Sequence, residues 1–455
     1  MQKSTIAAIS TPLGEGGIGI VRISGESAKS VADRIFRSIC GKKISEAAGY
    51  TALYGNVVNN GQIIDEVVAL VFTSPKSYTG EDTVEISAHG GTYVVKQVLR
   101  AALQNGARPA EAGEFTKRAF LNGKMDLTQA ESVMGIISAT GNQALLASVS
   151  ALDGAVSQTI NSIKGQLLEA ASRVAAFSDF PDEEPEFSGI DMLGCLIEDA
   201  KTRLDLLLKN YDAGRVLREG INTVIIGKPN VGKSTLMNLL TGCERSIVTS
   251  VAGTTRDIVE ETVMLGDIKL RLADTAGLHD TEDEVEKIGV ERAIQRLKTA
   301  QLIIAVFDSS GPLTEQDKKL LETAEGHPIV AVLNKSDLNA VIDEEWFVQK
   351  GIPTVTISAK NCEGTELLQS QIERIVGINN LNSDVAVMSS ERQRECAERA
   401  RNLLAEALDI LNMGMTFDAI GVIIDDALAS LMELTGERVT IEVANEVFKR
   451  FCVGK

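Results

Sequence analysis

Paired cysteines are missing from this chain: its six cysteines lie far apart with no CxxC pair, and only three histidines are scattered through 455 residues. That spacing assembles no local metal-ligand cluster and no disulfide framework, and it fits a reducing cytosol. No apolar run approaches the roughly 20 residues that span a bilayer. The opening Met1-Gln2-Lys3-Ser4-Thr5 runs within ten residues into Thr11-Pro12, too soon for the apolar core of a signal peptide, so the expected location is cytoplasmic with no membrane contact. An excess of positive charge is missing too. With 45 Lys and Arg against 63 Asp and Glu the formal charge is −18, so any polyanion must be met by a local basic patch or through a partner. The charge neither proves nor excludes tRNA binding. Finally, no proline stands between Pro109 and Pro181 or after Pro353, and both stretches are open to long helices.

The residues that are there divide the chain. Length and 44% hydrophobic content allow about three domains. Residues 1–118 read as α/β, with β-branched runs at Ile18–Ile23 and Val67–Phe72 between Gly- and Asn-rich turns. Gly14-Glu15-Gly16-Gly17-Ile18-Gly19 spells GxGxxG, but a dinucleotide site needs a helix next and a strand pattern follows, so that reading is rejected. From Leu127 to Ala176, and again over Glu391–Leu411 and Phe417–Leu434, apolar residues recur at helical spacing. The expected architecture is multidomain α/β plus all-α: a helical domain (119–218 and 379–455) interrupted by a Ras-like P-loop GTPase domain at 219–378. The acidic Asp179–Pro185 marks a break between helices.

Chemistry enters at Gly227-Lys228-Pro229-Asn230-Val231-Gly232-Lys233-Ser234, a complete GxxxxGK(S/T) phosphate loop after the strand-like Thr223–Ile226. Its glycines let backbone N–H groups turn toward the phosphates, Lys233 brings charge to them, and Ser234 offers a hydroxyl to Mg²⁺. A helix beginning near Ser234 and Thr235 points its positive end at the same anion. Asn334-Lys335-Ser336-Asp337 follows the apolar run Ile329–Leu333, placing Asp337 at a strand's carboxyl end. A carboxylate only accepts, and guanine presents two adjacent donors where adenine presents none, so the base read is guanine and the nucleotide GTP. Ser358-Ala359-Lys360 would support that base from the backbone. Asp274-Thr275-Ala276-Gly277 would hold Mg²⁺ through water and sense the γ-phosphate, and Thr255, within Gly253–Asp257, is the second hydroxyl for Mg²⁺. After Gly277 comes Leu278, where Ras-type enzymes place a water-orienting Gln. Leucine cannot orient water, so a carboxylate of the acidic run His279–Lys287 is the candidate, against a solvated switch without chemistry.

Over nearly its full length the chain resembles the MnmE (TrmE) family of tRNA-modification GTPases. The resemblance is carried by Gly16–Gly25, Gly80-Glu81-Asp82, Ser87-Ala88-His89-Gly90-Gly91, Gly113-Glu114-Phe115, Arg118–Asn122, Asp179–Glu184, Leu217-Arg218-Glu219-Gly220, the GTPase motifs, and Phe451-Cys452-Val453-Gly454-Lys455. It implies a homodimer joined through the N-terminal domain, which would bind a one-carbon tetrahydrofolate at Arg22, Glu85, Lys124 and Lys455. It also implies a K⁺ ion beside the phosphates, with ligands matching Asn230, Thr249, Val251 (backbone) and Thr254, and Glu286 as the catalytic carboxylate. The implied nucleotide contacts add Ser250 and Ala252 to those above. The partners implied are a flavoprotein, MnmG, carrying FAD, and tRNA, whose wobble uridine would receive an aminomethyl or carboxymethylaminomethyl group. The competing reading is a regulatory GTPase switch of the ribosome-assembly type with a partner-docking N-terminal domain; no basic RNA-binding module such as a KH domain follows the G motifs. Phe451–Lys455 is expected to deliver Lys455 to the folate residues across the dimer.

Overall fold

The structure, a computed structural model, describes residues 4–179, 187–242, 260–266, 268–273, 300–378, 386–414 and 416–455. They form two compact units, one of Met1–Met134, Ser157–Lys201 and Glu395–Lys455, the other of Gly135–Val156 and Thr202–Arg394.

In the first unit, seven strands among the described residues make a largely antiparallel sheet: β1 (Ile6–Ile9), β2 (Ile18–Ser24), β3 (Phe36–Ser38), β4 (Thr51–Asn59), β5 (Gln62–Phe72), β6 (Thr83–His89) and β7 (Arg108–Pro109), in the order β3-β4-β5-β6-β2-β1-β7. Alternation decides which face is buried. Val84, Ile86 and Ala88 of β6 and Val21 and Ile23 of β2 point into a core closed by the helices Ala28–Ile35 and Thr92–Gln104. Glu85 and Ser87 on β6, with Arg22 on β2, occupy the other face, and the ladder sets Arg22 directly opposite Glu85. Strand β2 begins at Ile18, straight after the glycine-rich turn, which leaves no helix there to receive a dinucleotide. The same unit contains the helices Glu114–Leu121 and Ile441–Lys449. Lys117 Nζ donates to Asn445 Oδ1 at 2.6 Å, and Phe120 and Phe448 pack with ring centroids 6.3 Å apart.

The second unit is built on a six-stranded sheet ordered β13-β12-β11-β8-β10-β9, with β8 (Ile221–Ile226), β9 (Glu260–Leu265), β10 (Ile268–Ala273), β11 (Leu302–Asp308), β12 (Ile329–Asn334) and β13 (Thr354–Thr356). All neighbours are parallel except β9 and β10. The near-continuous apolar runs of β8, β11 and β12 follow from burial on both faces: Ile225, Ile304, Val306, Val330 and Val332 enter one core, while Val224, Ile226, Ile303, Phe307 and Leu333 enter the other. Strand β8 lies between β11 and β10: the chain runs from β8 to β9 on one side and from β10 across to β11 on the other, and this reversal of strand order opens a crevice at the carboxyl end of β8.

The helix Phe187–Glu219 runs into β8, and its last turns are pinned to the segment after the sheet. Arg218 Nη1 donates to the Met388 carbonyl at 3.1 Å, the guanidinium lies 5.4 Å from the Tyr211 ring centroid, and Tyr211 Oη donates to Glu391 Oε2 at 2.8 Å. Burial, reinforced by the Glu391 carboxylate, pushes the Tyr211 phenol up to about 12, so the hydroxyl stays a donor. Arg218→Ala removes the cation from the ring and strands the Met388 carbonyl. The expected loss is roughly 1–3 kcal/mol of stability in this unit, read from its denaturant midpoint, and an unchanged midpoint would show that the cluster does not stabilise it.

Candidate functional site

The phosphate loop lies at the carboxyl end of β8 and leads into the helix Lys233–Gly242. Lys233 Nζ donates to the carbonyls of Gly227 (2.6 Å) and Lys228 (2.7 Å), which folds the lysine over its own loop. Gly232 has φ +96, and a Cβ there would overlap the side-chain amide of Asn334. That side chain braces two loops at once: Nδ2 donates to the Val231 carbonyl at 2.9 Å, and Oδ1 accepts from Ala359 N–H at 3.0 Å. Buried Asn334 thus joins the phosphate loop to the Ser358-Ala359-Lys360 loop. Beyond it, Asp337 Oδ1 accepts from Ser358 Oγ at 2.7 Å, and this hydrogen bond holds the carboxyl below its ordinary range. Asp337 is therefore an ionised, oriented and solvent-facing acceptor, the chemistry that a pair of N–H donors on a base requires. Lys335, at φ +69, pairs with Asp308 at 2.5 Å.

Two contacts here were not legible in the motifs. Lys228 Nζ reaches Thr314 Oγ1 and Asp317 Oδ2, both at 2.7 Å, tying the phosphate loop to the capping box that starts the helix Glu315–Glu322. Asp308 closes on Lys335 from the end of β11. Neither spacing belongs to a signature, and only the fold brings the partners together. Ser234 carries a hard oxygen donor at the amino end of a helix, of the kind that Mg²⁺ takes, and Asn230, exposed with φ +66, carries an amide oxygen, of the kind that K⁺ takes. The other assigned residues, Thr249, Ser250, Val251, Ala252, Gly253, Thr254, Thr255, Asp274, Thr275, Ala276, Gly277 and Glu286, lie outside the described residues.

A second constellation sits on the open face of the first unit's sheet. Arg22 Nε donates to Glu85 Oε1 at 2.8 Å, and both side chains are mostly buried. Lys455 is half-buried beside them; burial and the Arg22 charge push its amine down, while Glu85 acts the other way. Arg22 is paired with Glu85 and the Lys455 amine is near enough to feel both charges, so two cations and a carboxylate stand side by side, groups able to meet carboxylates and N–H donors of a ligand. Lys124 stands apart: it is exposed, and its Nζ donates to the Pro75 carbonyl at 3.3 Å. The structure brings Arg22, Glu85 and Lys455 together within one chain, so Lys455 reaches its neighbours without crossing a dimer. An expected crossing overlooked how short the path is once the helix Ile441–Lys449 packs beside Glu114–Leu121.

Comparison with known proteins places the chain in a family. The family described as "GTP-binding protein TrmE N-terminus" matches residues 5–124, and the "MnmE helical domain" family matches residues 127–452, a span that contains the phosphate loop. A tRNA modification GTPase MnmE of Lactobacillus delbrueckii subsp. bulgaricus is 43% identical over 99% of this chain and 98% of its own. Those of Clostridioides difficile (42%, 99% of both chains) and Bacillus velezensis (41%, 99% of this chain and 100% of its own) are as similar. This chain belongs to the MnmE family of tRNA modification GTPases. Its mixed α/β N-terminal region and large helical region follow the family's architecture.

Asp337→Asn places a donor where guanine also presents one, so preference should move from GTP toward xanthosine triphosphate; nucleotide competition that still favours GTP would remove Asp337 from base reading. Lys233→Ala should weaken GTP binding or turnover at least about tenfold through the lost phosphate contact, and wild-type values for both would contradict the phosphate-loop assignment.

Proposed function

We propose that this chain hydrolyses GTP in the modification of tRNA, acting with a flavoprotein of the MnmG type, which carries FAD, to place an aminomethyl or carboxymethylaminomethyl group on C5 of the wobble uridine. The observation that supports it most is the family match along nearly the whole chain, joined to a phosphate loop and an oriented Asp337 on one sheet. The one-carbon unit comes from a tetrahydrofolate held at Arg22, Glu85 and Lys455, with Lys124 at the rim. Glu85 accepts from ring N–H donors and the two cations meet the ligand's carboxylates. The working species is a homodimer joined through the N-terminal domain, in the cytoplasm.

In the hydrolytic half, Lys233 and the loop amides bind the phosphates, and Ser234 with Thr255 holds Mg²⁺. Asn230, Thr249, the Val251 carbonyl and Thr254 would hold K⁺, which supplies the charge that an arginine finger supplies elsewhere. Glu286 orients the attacking water in place of the glutamine that Leu278 displaces. The domain boundaries proposed are 1–118, 119–218, 219–378 and 379–455.

Mass spectrometry of wobble nucleosides in tRNA from cells lacking this protein tests the function directly: the modified uridine should disappear, and an unchanged nucleoside profile would overturn it. Hydrolysis should run faster in K⁺ than in Na⁺ at equal ionic strength, because a smaller ion cannot meet the same ligands without distorting the loop. Equal rates would remove the K⁺ site. Glu286→Ala should bind GTP normally and hydrolyse it about 10²-fold more slowly or worse. Retained turnover would move the role to Glu282 or Glu284.

A further inference from the structure

The sheet-face site is held together by contacts that none of its ligand-facing residues makes alone. The Arg22 guanidinium carbon lies 5.3 Å from the Tyr78 ring centroid and 5.4 Å from that of Phe115. Tyr78 Oη is itself paired with Thr116 Oγ1 at 2.9 Å, and Phe115 is fully buried, so both rings are fixed. With Nε on Glu85, Arg22 turns Nη1 to the Gly454 carbonyl at 3.4 Å. Ser10 Oγ donates to that same carbonyl at 3.0 Å. One residue further, Phe115 N–H donates to the Lys455 carbonyl at 3.2 Å, while Lys455 N–H closes a turn onto Cys452 at 3.3 Å. Val453 bridges to Ala112. Gly454 is buried at φ +100, and a Cβ there would run into the Ile9 carbonyl, so the seat accepts glycine and rejects larger residues.

The geometry points to Ser10, Tyr78 and Phe115 as positioning residues that, through Arg22 and the Gly454 carbonyl, seat the 452–455 turn of the same chain and thereby hold Lys455 in place for an anionic folate. This rests on the tetrahydrofolate reading above. A seat of this kind lowers the ordering entropy that a loose lysine would have to lose on binding, because the backbone on either side of Lys455 Cα is already fixed. Binding and seating are then reciprocal: whatever loosens the turn weakens the ligand, and the ligand tightens the turn. Each chain builds its own site by this route.

Isothermal titration of tetrahydrofolate into the full chain tests it, with GTP hydrolysis and thermal unfolding measured on the same samples. Gly454→Ala should weaken binding about tenfold or more, and Ser10→Ala about three- to tenfold, for one displaced carbonyl and one lost hydrogen bond. Ser10→Thr, which keeps the hydroxyl, should restore affinity to within about twofold of wild type. Hydrolysis should not move in either variant, since neither residue touches the phosphate loop; the unfolding temperature should hold in Ser10→Ala, while Gly454→Ala lowers it through the strain of a Cβ at φ +100. Wild-type affinity in both Gly454→Ala and Ser10→Ala overturns the seat, as does a loss that Ser10→Thr fails to reverse. Failure of the folate reading shows elsewhere, as absence of tetrahydrofolate binding by the wild-type chain, and takes the seat down with it.

Discussion

A single guanidinium connects the two ends of this chain. Arg22 and Gly454 are 432 residues apart, yet the hydrogen bond between them closes the first unit's sheet face, and its strength depends on what surrounds the cation. Between Tyr78 and Phe115 and opposite Glu85, Arg22 is shielded from water on its faces and paired at its edge, so its remaining N–H groups keep fixed directions. A lysine at this position would carry the same charge without the planar fork. It could not stack flat and reach two acceptors in one plane, and the last turn of the chain would lose its anchor.

In the second unit the corresponding constraint is neutral. Asn334 is a signature residue, but its side chain spends its hydrogen bonds on the protein, one on the phosphate loop and one on the loop of Ser358-Ala359-Lys360. The phosphate loop and the Ser358-Ala359-Lys360 loop are thereby held at a fixed separation by the protein's own hydrogen bonds. Asp337 is oriented by the same loop through Ser358. Base recognition and phosphate binding share one scaffold, which explains why the motif elements fall on three different strand ends of one sheet: after β8, after β12 and after β13.

How much of this was legible in the sequence differs between the two sites. The phosphate loop and the Asn334–Asp337 run have fixed spacings because a short loop at a strand end must do the whole job locally, and such patterns can be read directly. The α/β and helical regions were legible for a similar reason, since periods of 2 and 3.6 are local signals. The sheet-face site is the opposite case. Arg22 and Glu85 are cross-strand neighbours, and Ser10, Tyr78, Phe115 and Gly454 join them only after β2, β6 and the helix Glu114–Leu121 are in place. No spacing encodes that. Resemblance to a family supplied the ligand-facing residues, while the residues that hold them were silent. Likewise Asp317 reads as a helix cap, which it is, and nothing in the sequence shows that it also holds Lys228.

The two sites lie in different compact units. The helix Phe187–Glu219 begins in one unit and ends in the other, with the division falling between Lys201 and Thr202, and the helix Glu391–Asn412 crosses the division between Arg394 and Glu395. A continuous helix resists bending because every turn is hydrogen-bonded to the next, unlike a Gly- or Ser-rich connection. Within the second unit, Arg218, Tyr211 and Glu391 bind these two helices to each other. The Leu217-Arg218-Glu219-Gly220 motif thereby has a physical reason to exist within that unit: its arginine reaches the Met388 carbonyl and lies over the Tyr211 ring, and Tyr211 in turn holds Glu391 at the start of the second helix.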